Sequence, residues 1–214
     1  MAETSTIASL ATAGGTLVLA LATFSSTRSA NRAARVSEQA LQARLRPVLF
    51  SARYDDTAQK VSWIDDFHVV LRNGLAVVQE EQEAMYMAIP LRNVGSGLAV
   101  LHAWNIYAGR GGTEPPSDIG SFRRQQVDLY VPAGDIGFWQ AALREREDPL
   151  REQLRAAIDE PSAITVEILY GDHEGGQRTV TSFNLTRRTG ADDEQWLWTA
   201  RPVRHWNIDR EQPR

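Results

Sequence analysis

The chain has 214 residues, 43% of them hydrophobic and 23% charged, with 15 Gly, 9 Pro, no Cys and a formal net charge of −4. That composition excludes a collagen-like, low-complexity or wholly disordered polypeptide, and the missing thiols exclude a disulfide scaffold, a thiolate zinc site, an iron–sulfur cluster and a cysteine nucleophile. An acidic balance, with a pI near 5.6, also speaks against a nucleic-acid binder, which carries a basic excess.

Charge divides the chain in two. Residues 1–46 carry five arginines (Arg28, Arg32, Arg35, Arg44, Arg46) against Glu3 and Glu38, a net of +3. The rest holds 18 basic and 25 acidic residues, a net of −7. A small basic end on an acidic body implies two environments.

No charge occurs from Thr4 to Thr27, and Ile7 to Phe24 is mostly Ala, Leu, Val, Gly and Thr. About twenty helical residues reach about 30 Å, the thickness of a bilayer's hydrocarbon core, so residues 1–27 are expected to form a transmembrane anchor. Ala20-Leu21-Ala22 also fits a signal-peptidase site, but Glu3 and the lack of a basic start favour retention over cleavage. Arg28, Arg32 and Arg35 follow the span, and the positive-inside rule then places the C-terminal body on the cytoplasmic side of the cell membrane. An extracytoplasmic body is the alternative.

Residues 28–46 read as a juxtamembrane helical stalk that Pro47 ends. Ala33, Val36, Ala40 and Ala43 make a narrow seam, and Ala11 and Gly15 a small-xxx-small pair. Both spacings would support self-association through anchor and stalk; a monomeric anchor is the simpler alternative.

Residues 47–210 read as strand after strand, with 211–214 as a tail. Runs rich in Val, Ile, Tyr, Trp and Thr, bounded by Gly, Pro, Asp and Asn, predict strands near 48–54, 61–71, 76–80, 85–93, 98–108, 126–131, 164–170, 178–186 and 195–206. Gly171 to Gly176 reads as a hairpin turn, and Thr189 to Asp193 as a second. The segment 136–146 fits either a strand or a helix. Asp148 as N-cap, Pro149 at the first turn and the face Leu150, Leu154, Ala157, Ile158 predict one short helix that Pro161 ends. The expected fold is mainly β: an antiparallel, Ig-like β-sandwich with one short helix, behind the anchor and stalk.

No catalytic, cofactor or metal residue is assigned. Gly95-Ser96-Gly97 lacks the third glycine and the following helix of a dinucleotide-binding loop, and reads as a turn between strands. His68, His102, His173 and His205 are too scattered for a metal-ligand motif. Asp55-Asp56, Asp65-Asp66 and Asp192-Asp193-Glu194 read as solvated turns rather than calcium loops. No G-x-S-x-G occurs. Trp63, Trp104, Trp139, Trp196, Trp198 and Trp206 are expected mainly in the core; exposed, the Trp196 and Trp198 pair would make a stacking platform for a sugar or a partner.

The segments Ser29 to Arg35, Leu45-Arg46-Pro47, Leu91 to Gly97, Gly137-Phe138-Trp139-Gln140, Tyr170-Gly171-Asp172 and Arg204-His205-Trp206-Asn207 together resemble a group of uncharacterised bacterial membrane-anchored proteins. The resemblance covers most of the chain. It implies one N-terminal helix and a β-sandwich-like body and transfers no site residues. The expected function is that of a non-enzymatic, single-pass membrane protein whose body meets a protein partner, with the lipid bilayer as the other partner and no cofactor. A small-ligand or carbohydrate-binding module at the cell envelope is the alternative.

Overall fold

A computed structural model describes residues 2–81, 83–111, 113–116, 118–160, 162–189 and 196–209, without the side chains of 2–13, 43, 188, 189 and 196. The chain forms two compact units, Met1–Arg44 and Leu45–Arg214. The first unit is a single helix, α1 (Ala2–Arg44). Good helix formers and the absence of proline sustain it until the stretch before Pro47. Among the described residues no helix is long and apolar enough to cross a membrane, so the expected anchor over residues 1–27 is not shown. Residue 1 and the side chains of residues 2–13 of that span lie outside what is described.

The second unit holds eleven described strands: β1 (Leu49–Ser51), β2 (Gln59–Ser62), β3 (His68–Leu71), β4 (Leu75–Glu81), β5 (Ala84–Asn93), β6 (Ala99–Ala108), β7 (Arg123–Val131), β8 (Ile136–Leu143), β9 (Ile164–Gly171), β10 (Thr179–Thr189) and β11 (Trp196–Asn207). Helix α2 (Pro149–Asp159) lies between β8 and β9. All ladders are antiparallel. The mainly β, antiparallel expectation therefore holds.

The finer expectation, an Ig-like division into two sheets, is not shown. Eight of the nine strands of the large sheet follow one path, β1-β5-β4-β11-β10-β9-β6-β7, and the ninth, β8, lies on the other edge of β5; β2 and β3 form a separate hairpin. The path curls. Among the described residues its β5 half and its β9 half share a strand ladder only at the pairs Ala76–Trp198 and Leu75–Thr199. Curling brings the two halves around one core: Met85, Met87, Ile89 and Leu91 from β5, Trp139 from β8, Ile164, Val166 and Ile168 from β9, and Leu154 and Ala157 from α2.

Two local differences from the sequence reading have clear causes. Residues 61–71 are two strands, because Trp63 N donates to Phe67 O (2.9 Å) and Asp66 takes a positive φ of 61° in the turn between them. Of residues 136–146, the stretch Ile136–Leu143 is strand β8, whose missing alternation reflects burial on both faces. The inner face meets the main core, and the outer face, with Phe138 and Ala142, meets Trp63, Tyr86 and Val61 beneath the β2–β3 hairpin. Strand β5 is covered in the same way, which explains its nearly unbroken apolar run. Its Pro90 falls between the end of the β4 ladder at Ala88 and the start of the β1 ladder at Leu91, so its missing N–H breaks no pair.

Gly95-Ser96-Gly97 is the expected turn between strands, packed under residues 45–48. A Cβ at Gly97 would collide with the backbone of Leu45, and one at Gly95 with Arg46 and Val48. Asn93, fully buried, ties the junction together. Its Oδ1 accepts from Val48 N (3.1 Å) and Gly95 N (3.0 Å), and its Nδ2 donates to Gly97 O (2.6 Å) and Val131 O (3.0 Å).

Candidate functional site

The turn over residues 132–135 sends β7 and β8 to opposite ends of the strand path. Gly137 lies so close to Val131 that a Cβ there would stand 2.8 Å from the valine side chain. Beyond that contact the strands part. Among the described residues β7 pairs only with β6, and β8 only with β5. Between their free edges runs a cleft of about 270 Å³, whose third wall is the β2–β3 turn with Trp63 and Ile64.

Strand β7 turns its polar residues into this cleft because its register slips. Leu101 pairs with Leu129 but Ala103 with Arg124, so residues 125–128 stand opposite His102 alone. Such a bulge re-aims side chains, and Gln125, Gln126 and Val127 line the cleft. From the β8 side come Gln140, Ala141 and Ala142. Two side-chain hydrogen bonds cross the gap, from Gln125 Nε2 to Gln140 O (2.9 Å) and from Arg144 Nη1 to Gln126 Oε1 (3.4 Å).

Three buried polar atoms at the cleft have no hydrogen-bond partner: Trp63 Nε1, Gln125 Oε1 and Gln140 Oε1. Trp63 is 8% exposed and Gln140 7%. Leaving a buried donor or acceptor unmet costs about 1–3 kcal/mol, so three at one place amount to an unmet demand for one donor-bearing and acceptor-bearing occupant. Around them the wall is apolar, with Ile64 at 81% exposure and Val127 at 44%.

The rim is held by ion pairs. Arg144 Nε meets Asp65 Oδ2 at 3.0 Å, and the Tyr86 hydroxyl donates to the same carboxylate at 2.7 Å. Burial and this bond to Asp65 push the Tyr86 hydroxyl up to about 12. Burial acts to raise Asp65, but the hydrogen bonds from Tyr86 and Arg144 outweigh it and hold the carboxyl below its ordinary range. At the other end Arg123 lies over the Trp104 ring, 5.6 Å from its centroid, and pairs with Asp148 at 2.5 Å.

A second cavity, of about 320 Å³, opens over Glu167 on β9. This side chain sits on the face opposite the core, where Gly111, Thr113, Pro115 and Phe122 line the same cavity; Glu167 is only 4% exposed. Its Oε2 accepts from Asn105 Nδ2 (3.1 Å), and its Oε1 from Tyr107 Oη (3.4 Å) and Ser182 Oγ (3.3 Å). Glu114 and Asp118 also line the cavity, and among the described residues that line it none is basic.

The residues singled out in the sequence go elsewhere. His68 and His173 are exposed, while His102 and His205 are half-buried in β6 and β11. Among the described residues no three His, Asp or Glu side chains are grouped to hold a metal ion. Asp56 pairs with Arg92, and Asp65 belongs to the cleft rim; Asp192, Asp193 and Glu194 lie outside the described residues. Trp63, Trp104, Trp139, Trp198 and Trp206 are all buried, as expected. The side chain of Trp196 is not described, so the Trp196 and Trp198 platform lies partly outside the described residues.

Sequence reading missed Gln125, Gln140 and Glu167. Glu167 is a polar residue at an ordinary alternating position, Gln125 falls in a polar run, and Gln140 is the lone polar side chain of an apolar run, so none reads as a site. The only signals available were the Gly- and Pro-rich length of the 109–122 connection and the charge-free run over 136–143. No family model, curated protein or solved structure matches the chain, and the site stands on its own geometry.

Proposed function

We propose that the protein is a non-enzymatic, membrane-tethered interaction module whose partner docks in the cleft between β7 and β8. The observation that carries this reading is the pair of free strand edges enclosing buried polar atoms with no partner. Such atoms destabilise the chain alone and reward the complex. The tether rests on α1. Leu17, Val18, Leu19, Leu21 and Phe24 are all more than 60% exposed, the uncharged run extends back to Thr4, and a bilayer is the medium that accepts such a surface. Arg28, Arg32 and Arg35 would then meet anionic headgroups on the side that carries the body, the cytoplasmic side by the positive-inside rule.

The test is membrane extraction and protease protection of the full chain with a tag at each end. The expected result is retention in the alkaline-washed membrane, with the C-terminal tag protected in intact cells. Replacing Leu17, Leu19 and Leu21 by Arg should release the protein. A freely soluble wild-type chain would remove the tether, and an accessible C-terminal tag would reverse the orientation.

The cavity over Glu167 favours a second reading, a small-ligand module. A buried carboxylate that accepts from the neutral donors Asn105, Tyr107 and Ser182, in a cavity lined by two more acidic residues, suits a ligand with an ammonium or guanidinium group. A thermal shift on adding arginine that is lost in Glu167→Gln would support it.

A further inference from the structure

We infer that the occupant of the β7–β8 cleft is an extended segment of a partner protein, which hydrogen-bonds along the free edge of β8 and completes the curled sheet. The inference rests on the interaction reading and names the bound form of the partner. Strand addition of this kind draws its affinity from main-chain bonds and its selectivity from the pockets that receive alternate side chains.

The pleat of β8 determines which groups are on offer. Asn93 N donates to Asp135 O at 3.0 Å, and Leu91, Ile89 and Met87 stand opposite Gly137, Trp139 and Ala141. With a period of two, the odd-numbered residues of β8 then bond towards β5, and Phe138, Gln140 and Ala142 present their N–H and C=O groups to the cleft. The bond from Gln125 to the carbonyl of Gln140 agrees with that assignment. It also shows an amide already occupying a position that an incoming backbone N–H would take.

The edge is undefended. Exposed edge strands are ordinarily blunted by Lys, Pro, inward-pointing charge or a bulge. Strand β8 reads Ile-Gly-Phe-Trp-Gln-Ala-Ala-Leu, without a charge or a proline, and its ladder with β5 runs unbroken from Arg92–Ile136 to Met85–Leu143. The facing strand β7 carries Arg123, Arg124 and Asp128 and is bulged over 125–128, so β8 is the acceptor.

The remaining groups fit a polypeptide better than a sugar. Two unmet acceptors, Gln125 Oε1 and Gln140 Oε1, and one unmet donor, Trp63 Nε1, match a strand that offers N–H and C=O groups along its length. Trp63 and Trp104 are buried and offer no open ring face for a pyranose to stack upon. Ile64 and Val127 would hold an apolar side chain at every second position of the incoming strand. The preferred segment therefore alternates apolar and polar residues.

The experiment selects twelve-residue peptides from a displayed random library on the full chain in detergent micelles, with the Val127→Glu chain as counter-selection. Val127 is exposed enough for that change to leave the fold intact. Selected peptides are remade with N-methyl groups on alternate residues, and amide exchange of the protein is followed with each. Strand addition predicts protection of the amides of 138 and 142, and a loss of at least about tenfold in affinity on N-methylation in one of the two phases. It also predicts a similar loss in Gln140→Leu, whose melting temperature is equal to or above that of the wild type because a buried unmet acceptor is gone.

Peptides that bind equally well when N-methylated in both phases, or without protecting β8, would overturn strand addition and leave an interaction module that grips side chains only. If every recovered peptide binds Val127→Glu as well as wild type, or none is recovered, the cleft is not the docking site, and the interaction reading falls with the inference. A fluorescence response to maltotriose or chitotriose that Val127→Glu abolishes would replace the peptide with a carbohydrate.

Discussion

One amide organises the corner where three segments meet. Asn93 uses both of its side-chain functions on backbone groups, two donors and two acceptors, at a site closed to water. No other side chain of its size offers two donors and two acceptor sites in that arrangement. Asn93→Leu should therefore cost on the order of 3 kcal/mol or more, because it strands buried backbone groups. Urea denaturation followed by tryptophan fluorescence measures it; a loss below about 1 kcal/mol would mean that the corner relaxes. The contrast with Gln140 is informative. Asn93 satisfies its surroundings, whereas Gln140 leaves an acceptor unmet beside an open edge, and that difference separates a structural polar residue from a candidate binding residue. The motif Leu91 to Gly97 was legible as a turn. That Asn93 is its hub was not, because two of the bonded groups, Val48 N and Val131 O, are 45 and 38 residues away.

At the scale of elements, α2 shows how far local chemistry reaches. Asp148 caps it through a bond from Leu150 N at 3.0 Å, Pro149 opens it, and Leu154 and Ala157 are buried with Leu150 and Ile158 packed beside them, all as the spacing predicts. Leu154→Ala should cost about 2–5 kcal/mol through lost burial and the cavity left behind. Asp148→Ala should cost about 0.5–2 kcal/mol for the cap, with a small addition for the exposed pair with Arg123. Equal losses for the two changes in chemical denaturation would contradict the burial of Leu154. Strands β2 and β3 mark the opposite case. Their sequence is as strand-like as any, yet the turn at Asp66 splits it and the hairpin folds over β5 and β8. That covering removes the alternation by which β8 would have been recognised.

Proton uptake is a property of the whole molecule, and here every resolved shift of an acidic or histidine group acts in one direction. Burial lowers His205, helped by Arg46, and burial lowers His102, helped by Arg178. Both start from about 6.5, so the unfolded chain binds protons first and stability falls as pH drops below that value. Lower down, hydrogen bonds from Arg155 and Arg151 hold Glu80 at about 2, and arginine partners also depress Asp56, Asp148 and Asp209. These carboxylates stabilise the fold above their unfolded values near 4, and that contribution is lost as pH falls towards about 2. Urea midpoints from pH 8 to pH 3 should therefore fall in two stages, with the upper stage reduced in the double variant His102→Gln, His205→Gln. A midpoint that rises on acidification would contradict the burial of both histidines.

The sequence by itself determined the elements: a long N-terminal helix, strands at nearly all the expected places, the capped helix α2 and the hairpin between β9 and β10. Each depends on contacts a few residues apart, through capping, proline stops and period-two alternation, which a linear reading can follow. Only the tertiary structure decided that the strands form one curled sheet, that β7 and β8 end it without pairing, and that Trp63, Gln125 and Gln140 gather at the opening. Those relations depend on which faces are covered by distant segments and on a register slip in β7, and no local pattern in the chain encodes either.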